Sequence, residues 1–165
     1  MILALTLYAL LQVPPTQDAR ISVFVTAPMR EGFVDTSKPM EDSIKDIRGS
    51  LKGMKELRLL DTAEGADLVL VVIARGVGSQ DYGVRTNVND TLYQGVDITT
   101  QPMTLTTLWV STVMQAGTYR REIVGHDTAR GSQIAMWRVA GENVAKNVKA
   151  WAIANTPQLR AKRTS

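Results

Sequence analysis

Apolar positions change their period several times along the chain, and each change predicts an element. In "ISVFVTAP", Ile21, Val23 and Val25 alternate with Ser22, Phe24 and Thr26 until Pro28, the spacing of a half-buried strand. Met40, Ile44, Ile47, Leu51 and Met54 then recur at steps of four, three, four and three, which places them on one stripe of a helix. Ser37 is the candidate cap of that helix, and Pro39 suits its first turn, where a missing N–H costs nothing. Glu41 and Lys45 form the expected i,i+4 pair on its wet side.

"LRLLD" reads as a short strand, and the acidic turn "TAEGAD" leads from it into "LVLVVIA". Every residue from Leu68 to Ala74 is apolar, so this strand is expected at the centre of a sheet with both faces covered. Leu68, Leu70 and Val72 point one way, Val69, Val71 and Ile73 the other. Two helices can cover only one of these sets. The other is expected to lie under the segment 82–103 folded back, under a second copy, or under a partner protein.

The glycines that follow, Gly76, Gly78 and Gly83, do not form a phosphate loop. A dinucleotide fingerprint closes its G-x-G-x-x-G on a helix, and a P-loop needs Gly-Lys-Ser/Thr; neither pattern is present. Residues 76–102 read instead as a long polar excursion, either an ordered hairpin or partly disordered. Tyr82, Arg85 and Tyr93 within it are the candidate partner-binding residues.

"TLTTLWVSTVM" and "TYRREIVG", joined by "QAG", predict a hairpin. Leu105, Trp109 and Val113 share one face of its first strand, and Leu108, Val110 and Met114 the other. The last element is a long helix: Ile134, Trp137, Gly141, Val144, Val148 and Trp151 keep a three-four spacing, with Ser132 as the cap and Asn155 and Pro157 closing it. Both tryptophans are expected in the core. Gly141 on the buried stripe predicts a close approach to a strand or helix. The order of elements predicts an α+β fold, a mostly antiparallel sheet with two helices packed on one face.

The apolar run from Ile2 to Leu11 has the length of a signal-peptide h-region and is too short for a membrane span. Residues 1–19 are therefore read as a signal peptide or N-terminal apolar segment, with export to the periplasm or beyond and a mature chain starting near Arg20. The domain is expected over 20–156, and 157–165 reads as a basic tail. The chain has 165 residues, 44% of them hydrophobic, enough for one core. Its net charge of +3 is not gathered into a block, which argues against nucleic-acid binding. Cysteine is absent, which excludes disulfides, thiol catalysis, thiolate metal ligation and a lipid-bearing Cys.

In the order "ISVFVTAP", helix, "LRLLD", "EGADLVLVVIARG", a turn at "QAGTY" and a closing helix, residues 20–155 resemble the periplasmic α/β domains of the TolB N-terminal and CsgG type. The resemblance implies a non-catalytic domain that binds other envelope proteins or assembles into larger structures. The long polar excursion is a departure from that pattern.

Chemistry that could support an enzyme is sparse. The single histidine, His126, adjoins Asp127 in "GHDTARGS", a stretch read as an exposed loop before the last helix. No second histidine or cysteine supports a metal site, and no G-x-S-x-G elbow presents a nucleophile. Glu31 and Asp35 could serve as an acid/base pair, yet solvation at the first helix accounts for them equally. No cofactor and no metal is expected. The leading expectation is an exported, non-catalytic interaction or assembly domain of the bacterial cell envelope, with an envelope protein or a second copy as partner, and membrane contact only through the N-terminal segment if uncleaved. The alternative is a small hydrolase or metal-dependent enzyme centred on His126, which requires a pocket gathering that residue with Asp127, Asp35 or a serine.

Overall fold

The alternating stretch forms β1 (Ile21–Thr26), with Ile21, Val23 and Val25 buried in the core. The computed structural model describes residues 19–30, 33–34, 37–91, 95–130 and 134–161. The N-terminal segment 1–18, Glu31, Asp35, Tyr93 and Ser132 lie outside the described residues. A small antiparallel pair follows, β2 (Met29–Arg30) with β3 (Phe33–Val34).

Helix α1 (Lys38–Lys52) buries Met40, Ile47 and Leu51, with Ile44 and Met54 packed at the margin of the core, as the stripe required. Ser37 occupies the cap position without a side-chain cap bond; its carbonyl accepts from Met40 and Glu41. The i,i+4 ion pair that closes on this helix is Lys38–Asp42 at 2.9 Å, rather than one between Glu41 and Lys45. Asp42 takes the lysine one turn before it, at the exposed start of the helix.

Three strands then build the sheet with β1: β5 (Leu68–Thr91), β6 (Gly95–Ala116) and β7 (Tyr119–Arg130), preceded by the short edge strand β4 (Leu57–Leu59). The order is β4-β1-β5-β6-β7, which puts β5 at the centre. The sheet is mixed rather than mostly antiparallel. β4 and β5 both run parallel to β1, while β5, β6 and β7 are antiparallel neighbours. The parallel half follows from connectivity, because a helical crossover from β1 through α1 returns the chain to the starting end of the sheet. Leu59 and Leu68 both lie level with Val23, so the acidic turn between them only has to step across β1. Ser22 anchors that step: its single hydroxyl proton has Asp67 Oδ2 at 2.6 Å and Gly65 O at 2.9 Å as acceptors, its backbone N–H donates to Asp67 Oδ2 at 2.6 Å, and its Oγ accepts from Asp67 N at 3.0 Å.

The β6–β7 turn is two residues long, with Gly117 at φ 62°, a conformation that L side chains rarely adopt and that tight hairpins need. Helix α2 (Trp137–Ala154) starts later than its sequence stripe suggests, and Ile134 is 81% exposed. The start is set from outside the helix, since the Asp127 carboxylate accepts from Met136 N at 2.6 Å. Pro157 does not end the helical region. It lies in the first turn of α3 (Thr156–Ala161), where its missing N–H is harmless; Leu159 is buried in the core, and Arg160 donates to Ala19 O.

Helix α1 covers the β4–β1–β5 half of one sheet face and α2 the β6–β7 half. The core lies between, with Leu70, Val72, Val110, Met114, Val144 and Val148 all at 0% exposure. Two glycines set the spacing of the layers. A Cβ on Gly125 would meet Ala140 O at 2.1 Å, so α2 rests directly on β7, and one on Gly141 would stand 3.1 Å from Asp46 Cβ, the expected close approach, here to α1. The tryptophans are only half-buried: Trp137 lies under the Arg75 guanidinium, 3.9 Å from the ring centre, and Trp151 stacks on Tyr119 at 5.2 Å.

Candidate functional site

Leu68, Leu70 and Val72 of β5 point under the helices and are fully buried. A register shift between Val72 and Ala74 makes Ile73 an extra residue, a β-bulge. The bulge inverts the alternation. Beyond it Arg75 pairs with Val110 and Val77 with Leu108 on the helix side, while Gly76 faces Trp109 on the other. Arg75 thereby reaches the helix layer, donating to Pro39 O at 2.8 Å and contacting Ser43 Oγ at 3.4 Å beside the Trp137 ring. Gly76 is the seat of the Trp109 indole: a Cβ there would fall 2.3 Å from Cζ2. The glycines after the apolar run thus belong to a strand, with no helix following to receive phosphate.

The opposite face of the sheet presents Phe24, Val69, Val71, Ile73, Trp109 and Val113. All but Ile73 are half-buried, and Ile73 is 36% exposed. Cross-strand pairing brings Phe24 beside Val69 and Val71 beside Val113, so these side chains form one continuous apolar strip. Polar groups border it: Ser22 is locked to Asp67, and Ser111 donates to Glu122 Oε1. Both long helices, and α3 through Leu159, lie on the other side of the sheet. The described parts of the segment 82–103, residues 82–91 and 95–103, do not fold back over the strip but pair with each other. They continue as β5 and β6 in register to Thr91 and Gly95, and the described side chains along them are exposed apart from the half-buried Met103, with Val84 at 61%. The reason is that the strand pairing simply runs on: one bulge at Tyr82 adjusts the register without reversing the ribbon.

The sequence-predicted site residues separate. Tyr82 is the extra residue of that second bulge and Arg85 lies three residues on along β5, opposite Gln101. His126 and Asp127 are not in a loop but on β7, where the hairpin runs on to Arg130. Adjacent strand residues project to opposite faces, so the two cannot converge on one reacting atom. His126 sits exposed opposite Trp109, whereas Asp127 is committed to Met136 N and Thr128 N. Among the described residues no group of three or more His, Cys, Asp or Glu is placed to hold a metal ion.

Fold and face together define an open mixed α/β sheet with its helices on one side only and an apolar strip on the other. No helix among the described residues is long and apolar enough to cross a membrane. No protein-family model and no curated protein matches the sequence. Among solved structures the chain is similar to the rare lipoprotein B from Shewanella oneidensis, at 10% identity and a TM-score of 0.39, over 87% of this chain and 93% of that one. A likeness at that level carries no argument about function.

Proposed function

We propose that the protein is an exported, non-catalytic interaction or assembly domain of the bacterial cell envelope. The observation that carries this reading is the apolar strip from Phe24 to Ile73 and Val113, which neither long helix covers. The part of this apolar sheet face that the described residues leave exposed gains free energy by burial, at roughly 25 cal/mol per Å², when another surface closes over it. The N-terminal apolar run supports delivery to the envelope. The strip supplies the contact surface that binding to an envelope protein or to a second copy needs.

The test combines fractionation with site-specific cross-linking of the full chain in cells. A photoreactive residue at Ile73 should yield a discrete cross-linked species in the envelope fraction. Val71→Asp in the same background should remove that species while circular dichroism still shows a folded protein. Full-length, uncleaved protein in the cytoplasm, or a cross-link indifferent to Val71→Asp, overturns the reading.

A further inference from the structure

Beside the edge strand β4 lies a groove of about 740 Å³, walled by the outer side of α1 and by β4 itself. Its floor is apolar, made by Ile44, Leu57 and Leu59. Its rim is strongly cationic: Arg20, Lys45, Arg48, Lys52 and Arg58 stand against two carboxylates, Glu41 and Asp61. Asp61 is engaged by Arg48 at 2.5 Å, and the same guanidinium donates to Leu60 O at 3.2 Å. The excess of positive charge in this one concavity equals the net charge of the whole chain, +3.

Two further features point to an occupant. The bonds that frame β4 on the β1 side, Ile21 N to Glu56 O and Leu60 N to Val23 O, use even-numbered residues. Backbone groups alternate direction along a strand, so Leu59 turns its N–H and C=O outward at the sheet edge. The second feature is Gly49, on the groove wall in the interior of α1. Glycine is a poor helix former, and at Gly141 of α2 close packing against α1 explains it. At Gly49, among the described residues, nothing outside the helix's own backbone and the adjoining residues lies within 4 Å of where a Cβ would be. No described side chain therefore covers the helix backbone at this point of the groove wall.

We propose that this groove binds an acidic, extended polypeptide segment of a partner protein, which adds as a strand to the open edge of β4 and passes close to the α1 backbone at Gly49. The proposal deepens the interaction-domain reading and rests on it. Main-chain bonds to the edge supply affinity, and the cationic rim selects the partner's charge. The same rim repels the β4 edge of a second copy, which carries identical charges. An extended peptide suits the site better than a membrane surface, because the hydrogen-bonding groups on offer belong to a strand edge recessed beside a helix.

The probe is a capped, fluorescein-labelled peptide of alternating Glu and Val, titrated into the full chain and followed by anisotropy, with the Lys/Val counterpart as control. Binding of the acidic peptide alone is expected, with at least a tenfold loss of affinity in the double variant Lys45→Glu, Arg58→Glu. Gly49→Leu is the decisive variant, since it should raise the melting temperature by improving the helix while weakening the peptide at least tenfold. Peptide affinity indifferent to Gly49→Leu, equal binding of the Lys/Val peptide, or capture of anionic phospholipid vesicles without capture of the peptide each overturns the proposal. Loss of the Ile73 cross-link with peptide binding intact would instead count against the sheet-face reading alone, so the two fail separately.

Discussion

The two faces of strand β5 carry almost the same residue types and meet opposite fates. Leu68, Leu70 and Val72 are sealed under the helices, whereas Val69 and Val71 are half-buried and Ile73 is exposed by about a third. What separates them is not hydrophobicity but supply: the described residues form two long helices, and their packing against each other keeps both on one side. On the sealed face each side chain is held by its neighbours in three directions. On the other it is held only by the strands beside it, so equal substitutions should have unequal consequences.

The largest contrast should come from charge. Leu70→Asp places a carboxylate at a fully buried position with no partner, and is expected to cost more than about 4 kcal/mol and abolish the cooperative thermal transition. Ile73→Asp, on the same strand, should stay within about 1 kcal/mol in the same melt. A next contrast uses glycines, one on each face. Gly125→Val drives a side chain into the backbone of α2 and should cost about 3 kcal/mol, a fall of the order of 10 °C. Gly76→Ala meets the Trp109 indole first, a side chain that can swing away. It should cost about 1 kcal/mol and shift the tryptophan emission, and a loss equal to that of Gly125→Val would mean the open face is as rigidly packed as the closed one.

The smallest effect lies between the helices. Burial against α2, aided by the nearby Asp42 carboxylate, holds the Asp46 carboxyl above the ordinary carboxylate range. An acid raised in the folded state costs stability where it is ionised, above that raised value, and the cost disappears below the unfolded value as the group protonates. Asp46→Asn should therefore raise stability slightly at pH 7, by no more than about 0.5 kcal/mol, with a small rise in melting temperature, and leave both unchanged at pH 3. A gain that persists in acid would place its origin elsewhere.

Helix α1, the central position of β5 and the β6–β7 hairpin were legible from spacing alone, because each depends on a local period. The parallel place of β5 was not, since it depends on the turn after β4 stepping across β1 to its far side instead of folding back on β4 as a hairpin. Nor was the bulge at Ile73: in "LVLVVIARG" an inserted residue looks like one more apolar position, and only the pairing partner reveals that Arg75 has changed sides. The glycine-containing stretch was readable as a strand end but not as a strand continuing, because Gly76 is required by an indole from the neighbouring strand. Asp127 adjoins the histidine in sequence, which draws attention to catalysis; its work as the hydrogen-bond acceptor for the entry to α2 involves Met136, nine residues later. The groove at β4 left one trace in the sequence, a glycine on the wet side of α1.

Past Gln80 and Leu105 the described part of β7 stops at Arg130, and among the described residues β5 from Asp81 to Thr91 pairs with β6 alone. At about 3.3 Å per residue this two-stranded arm reaches roughly 35 Å from the three-stranded region. A lone strand pair is only marginally stable in water, so the arm closes as a zipper whose every tooth depends on the one before it. Its amides should exchange with deuterium in sequence order, fastest toward Thr91 and slowest toward Val72, where opening requires the whole domain to come apart. The arm's effective reach is then an average over partly open zippers, shortened by warming and lengthened by anything that clasps its sides.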